Sequence, residues 1–131
     1  MSGLYNKSEI NLEAANLLNE NGFYASACHP IYYSCLQLIA HKLITRNVTL
    51  EKQAALSSSC YSGNSHKCLI KESVKLIKVD RHREKKEYED NLKQLKELRE
   101  RADYKNDEIK QEECTQALAI VKLVIQKINT I

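Results

Sequence analysis

The chain has 131 residues, with 20 Lys plus Arg against 17 Asp plus Glu and a formal net charge of +3 at pH 7. A chain of this length buries about two thirds of the surface its unfolded form exposes, enough for one core without metals or disulfides. With 43% apolar and 28% charged residues, three glycines and one proline, the composition excludes disordered, collagen-like and turn-dense all-β classes and points to a single helical domain over residues 1–131. Five cysteines without regular spacing fit a reducing cytosol rather than a secreted disulfide framework. On a helix, Cys28 and Cys35 stand about 10 Å apart along the axis, too far to bridge, and read as small core residues. The opening residues lack the apolar segment of a secretory signal, Ser2 stands where myristoylation needs glycine, and no apolar run approaches the roughly 20 residues that span a bilayer. The expectation is a cytoplasmic protein with no membrane segment.

Ser8 reads as the N-cap of a first helix, with Ile10, Ala14, Leu17 and Leu18 on its apolar stripe and Asn21-Gly22 as its stop. A second helix is expected from Tyr24 to about Arg46, its core stripe Ala27, Ile31, Cys35, Leu38 and Ile39. Pro30 predicts a kink or an irregular first turn there. Residues 47–64 lack sustained periodicity, crowd Ser57, Ser58, Ser59 and Ser62 with Gly63, and read as a long mobile connection. Ser65 is then the expected cap of a third helix carrying Leu69, Ile70, Val74 and Ile77, and the chain turns around Val79 to Arg83. A fourth helix is expected over Arg83–Ala102 and a last one over Lys110–Asn129, the latter with Ala117, Ile120, Val121, Val124, Ile125 and Ile128 on one side. The fold class expected is all-α, an antiparallel up-and-down four-helix bundle with or without a short extra helix. Ile31, Cys35, Leu38, Leu92, Leu95, Val121 and Val124 are expected to share its core.

Two basic features stand out. On the fourth helix, with Leu95 as zero, Tyr88 falls at about 20°, Leu92 at about 60° and Arg99 at about 40°. Arg99 therefore points with the core stripe and needs a partner, a cleft or an interface. Arg101, at about −120° on the same count, points away and is expected in solvent. Between Lys67 and Lys86, eight positive residues face three acidic ones, an excess that attracts phosphate backbones or simply solvates an outer helix face.

Other groupings carry less chemistry. Cys60, His66 and Cys68 lack the short paired spacing of a zinc site, so neither metal nor cofactor is expected. His29, His41, His66 and His82 are scattered, no serine or cysteine stands in a nucleophile context, and Cys28-His29 at adjacent helical positions face apart.

Two segments are more specific: Asn21-Gly22-Phe23-Tyr24-Ala25-Ser26-Ala27 with Ile31-Tyr32-Tyr33-Ser34, and Leu98-Arg99-Glu100-Arg101-Ala102-Asp103-Tyr104. In this order, with Ser65-His66-Lys67 between them, they resemble the HEPN domain family (higher eukaryote and prokaryote nucleotide-binding), over roughly residues 8 to 128. The closest likeness is to small bacterial and archaeal members with a glycine turn, A-x4-YY and R-x2-A-D-Y. The resemblance implies a helical bundle, commonly a homodimer, often encoded beside a minimal nucleotidyltransferase in toxin-antitoxin or defence modules. Many such proteins are metal-independent ribonucleases with an R-x4-6-H motif that meets its copy across the dimer axis. Arg99 takes the arginine position, but Tyr104 stands where the histidine of R-x4-H would be, and a phenol with a pKa near 10 shuttles protons poorly at neutral pH. In members with R-x4-H-x-Y the tyrosine is nucleotidylated; placing Tyr104 there would put Ala102 at the histidine and Glu97 at the arginine.

The reading is a non-catalytic, homodimeric module binding a nucleotidyltransferase, a nucleotide or RNA. Arg99, Asp103, Tyr104, Tyr32 and Tyr33 line its cleft, and no catalytic residue is assigned. The alternatives are a ribonuclease toxin that pairs Arg99 with Tyr104 or with a histidine from elsewhere such as His66, and a purely structural bundle in which Arg99–Asp103 is only an internal ion pair.

Overall fold

The computed structural model describes residues 3–105 and 107–131, and every regular element among them is a helix. There are six: α1 (Gly3–Glu20), α2 (Tyr24–Thr45), α3 (Leu50–Cys60), α4 (Ser65–Leu76), α5 (His82–Tyr104) and α6 (Gln111–Ile128). The apolar pattern of α2 is nearly continuous, so it is the central element, packing against α1, α4, α5 and α6. All seven residues expected to share the core do so, joined by Tyr32, Tyr88 and Ile128.

The helix α1 corrects the sequence reading twice. Ser8 is not a cap: it lies buried within the helix, and its hydroxyl donates to the Ser34 carbonyl of α2 at 2.6 Å. Half of the expected stripe also faces the wrong way: Leu18 packs against the core and Ala14 is half-buried, but Ile10 is 64% and Leu17 54% exposed. Ser8 and Ala15 are the buried residues of α1, and two small side chains on one face bring its backbone close to α2. Close approach thus outweighs apolar count. The helix stops where expected. Gly22 has φ +81°, and its N–H and that of Phe23 donate to the Asn19 and Leu18 carbonyls, a paired closure that requires a left-handed residue and hence favours glycine.

The expected irregular first turn of α2 is absent, because the helix is regular from Tyr24 through Pro30. The expected mobile connection is largely a helix. Thr49 caps α3 by accepting from the Lys52 N–H at 3.2 Å. The buried Gln53 amide donates to the Ala40 and Val48 carbonyls at 3.1 and 3.0 Å. This helix is anchored by polar bonds rather than an apolar stripe, which is why its periodicity is faint. The cap of α4 is Asn64, whose side chain accepts from the Lys67 N–H, and not Ser65.

At the start of α5, Glu84 accepts from the Asp80 and Arg81 N–H groups, each at 3.1 Å. Tyr88, Leu92 and Leu95 then enter the core, and the Tyr88 hydroxyl meets Ser73 of α4 at 2.7 Å, which satisfies two buried polar groups at once. Arg101 departs from its expected place in solvent. It is half-buried and bonded to Asp107 at 2.9 Å and to Glu113 of α6. Glu113 also accepts from the Lys110 N–H, so one carboxylate both opens α6 and ties it to α5. The pair holds the Glu113 carboxyl below its ordinary pKa, chiefly through the Arg101 hydrogen bond.

Leu95 is 2% exposed and sits where α5 meets the core. Leu95→Ala is expected to lower unfolding free energy by about 2–5 kcal/mol in urea denaturation; a loss under about 1 kcal/mol would mean that the position is not tightly packed.

Candidate functional site

Near its carboxyl end, α5 turns Arg99 inward: the residue is 8% exposed, as the helical count required. A guanidinium there has given up most of its water and needs acceptors for its fixed fork of donors. The chain supplies few. Nη1 donates to Asp103 Oδ2 at 3.5 Å and to the Tyr104 hydroxyl at 3.4 Å, both at the long limit of a hydrogen bond. Nε is buried with no hydrogen-bond partner. Aromatic faces take up the rest of the surroundings: the guanidinium carbon lies 5.8, 5.5 and 5.7 Å from the ring centroids of Tyr32, Tyr33 and Tyr104, within range of cation–π attraction. All five residues singled out from the sequence therefore gather at one place.

The tyrosines come from opposite demands on α2. Tyr32 is fully buried, and burial pushes its phenol well above the ordinary value, so it stays protonated. Tyr33 is half-buried, with its ring between Arg99 and two histidines. Tyr104, by contrast, is 73% exposed and covers Arg99 only from the solvent side.

Two histidines join the group. His66, in the first turn of α4, lies 3.4 Å from the Tyr32 hydroxyl through Nδ1 and 3.4 Å from the Tyr33 hydroxyl through Nε2. A neutral imidazole can donate to one tyrosine and accept from the other, whereas an imidazolium can only donate to both. Burial favours the neutral ring, and the nearby charges of Arg99 and Lys96 add to this, so its pKa is lowered from 6.5. In the sequence His66 stands within the Ser65-His66-Lys67 segment and as a supply from elsewhere for the missing histidine, and its place beside the tyrosines depends on Asn64 starting α4 where it does. His29 is the residue missed. It stacks on Tyr33 at 4.3 Å with an 18° tilt, and its Nδ1 is 3.5 Å from Asp103 Oδ2. The i, i+4 spacing of His29 and Tyr33 was the available signal. Asp103 is thus shared between His29 and Arg99 rather than committed to either.

The remaining groupings stay apart from this chemistry. Cys60 is exposed and Cys68 buried with its thiol toward the Gln53 carbonyl, while burial pushes the Cys28 and Cys35 thiols up to about 12, which leaves them inert at neutral pH. Among the described residues no group of three or more His, Cys, Asp or Glu side chains is placed to hold a metal ion, and no helix is long and apolar enough to cross a membrane.

The arrangement is a helical domain with one buried, under-bonded arginine framed by aromatic rings. Consistent with that, the model of the HEPN domain family matches residues 1–131, the whole chain. The protein belongs to the HEPN domain family. No curated protein and no solved structure matches it.

Because folding favours neutral His66, the unfolded chain binds more protons between the ordinary histidine value of about 6.5 and the lower folded value, so stability falls as pH drops through that window. NMR titration is expected to place His66 below 6.5, with Arg99→Ala moving it part of the way back, since burial is the larger cause. A folded-state His66 titrating at or above 6.5 would contradict the site's electrostatics.

Proposed function

We propose that this HEPN chain is a non-catalytic binding module that takes the phosphate of a nucleotide or RNA on Arg99. The observation that carries the reading is the buried guanidinium whose Nε has no partner and whose Nη1 contacts are both long. A phosphate offers short, charge-assisted and bidentate acceptance to such a fork. Tyr104, which is exposed, adds a hydroxyl and a face on which a base can stack. In the same reading α1, α2, α5 and α6 form the up-and-down bundle that carries the site. The chain works as a homodimer, with the carboxyl end of α5 near a two-fold axis, since a self-complementary patch is the usual way a small domain pairs. Its partner is a minimal nucleotidyltransferase in a toxin-antitoxin or defence module, an inference that rests on family habit.

A second reading is favoured by the position of His66: a metal-independent ribonuclease in which that histidine moves the proton while Arg99 stabilises the phosphate. Against it stand the absent histidine of R-x4-6-H and the engagement of both His66 ring nitrogens by tyrosines.

Calorimetric titration of uridine 5′-monophosphate and of a short oligouridylate is expected to give saturable binding to wild type. Arg99→Ala should weaken it about tenfold or more, the loss of at least one charge-assisted hydrogen bond. No binding, or equal binding by a folded Arg99→Ala variant, would make the site structural. RNA cleavage by the purified protein without metal, abolished by His66→Ala or Arg99→Ala, would replace the first reading with the second. Sedimentation showing a monomer at tens of micromolar would remove the dimer from it.

A further inference from the structure

The basic run between Lys67 and Lys86 is not absorbed by the Arg99 site, and four of its eight cations, Lys71 among them, pair with nearby acids. Lys75 pairs with Glu72, Arg83 with Glu87 and Lys86 with Asp90. One of the run's unpaired members, Lys67, lines a groove of about 510 Å³ between α4 and α5 together with Lys71 and with Lys93 and Lys96 of α5, beyond the run, against only Glu89 and Asp90. Both acids are already taken, Glu89 by Lys71 and Asp90 by Lys86. Lys67 and Lys93 have no acidic partner among the described residues, and Lys96 reaches Glu100 only at 3.9 Å.

Lys96, at the end of the groove's lining on α5, stands three residues before the arginine. Along α5, Lys93 is exposed, Lys96 half-buried and Arg99 buried, so three cations at successive i+3 positions wind from solvent into the tyrosine-lined site. They rise about 9 Å, a length over which a stacked strand at about 3.4 Å per nucleotide presents two or three phosphates. On the facing helix, Lys67 follows His66, whose ring already feels both Lys96 and Arg99.

We propose that the α4–α5 groove is a track for the sugar-phosphate backbone of a single-stranded oligonucleotide, with its terminal or innermost phosphate on Arg99. The inference rests on the phosphate-binding reading of Arg99 and narrows its ligand from a mononucleotide to a strand of several nucleotides. An acidic protein surface is the weaker candidate, because the track ends among aromatic rings, which stack on bases and have no use for a second carboxylate patch.

The experiment compares uridine 5′-monophosphate with an oligouridylate of about eight nucleotides over a range of salt, with poly-glutamate as competitor. Two or three phosphates neutralised along the track give an expected salt slope of about −1.4 to −2.1 for the oligomer, at about −0.7 per neutralised phosphate on a single strand. Lys67→Gln/Lys93→Gln should flatten that slope by about 0.7, the share of the outermost phosphate, and weaken the oligomer while leaving the mononucleotide unchanged. If the mononucleotide binds but the oligomer binds no tighter, or its slope is unmoved in the double variant, the track is overturned and the Arg99 reading stands. If neither binds, both fall. Poly-glutamate displacing the oligomer at equal charge concentration would assign the groove to an acidic protein and overturn the proposal.

Discussion

The burial of Arg99 is the constraint around which this structure is arranged. A guanidinium cannot shed its charge, so a chain that turns it into a helical interface must surround it with groups that tolerate a cation. Here these are the faces of Tyr32, Tyr33 and Tyr104 and one carboxylate that is also shared with His29. Ring faces attract a cation without saturating its donors, so the fork keeps hydrogen-bonding capacity in hand. A carboxylate in short bidentate contact would have consumed it. The contrast lies two residues further on, where Arg101 is tied to Asp107 and Glu113 and closes the α5–α6 junction. One arginine is spent on the fold; its neighbour is held open.

The rest of the fold supplies the frame. Small residues on α1 let it lie close to α2, and the Ser8–Ser34 bond fixes their register. That leaves the opposite side of α2 to present Tyr32 and Tyr33 toward α5. The polar anchor of α3 through Gln53 and the Asn64 cap set where α4 begins, and the first turn of α4 delivers His66 to the tyrosine pair. The buried Ser73–Tyr88 bond then locks α4 against α5, so the imidazole and the guanidinium are held on two elements that are themselves cross-linked.

Elements whose stability comes from apolar periodicity were legible in the sequence, as α2, α5 and α6 show, and so was the inward direction of Arg99, because an angular count needs no knowledge of partners. The failures share a cause. Ser8 looks like a cap and is a buried interhelical donor; Ile10 and Leu17 look like core and are exposed; α3 looks like loop and is a helix pinned by Gln53. In each case a polar bond or a close backbone approach to a distant segment decides the outcome, and no local pattern encodes it. The same holds at the site: Arg99, Asp103 and Tyr104 are neighbours on one helix, whereas His66 joins them only through the tertiary path of α4.

The central claim is that the Arg99 Nε–H is a donor left for an anion outside the chain. The most direct measurement is the side-chain Nε–H resonance of Arg99 in a 15N correlation spectrum, assigned by its loss in Arg99→Lys and followed while inorganic phosphate and then uridine 5′-monophosphate are added. A saturable downfield proton shift of that resonance, at concentrations that leave the Arg101 signal in place, is the predicted result. A resonance that stays fixed through the titration, or moves only in parallel with Arg101 and the surface lysines, would contradict it.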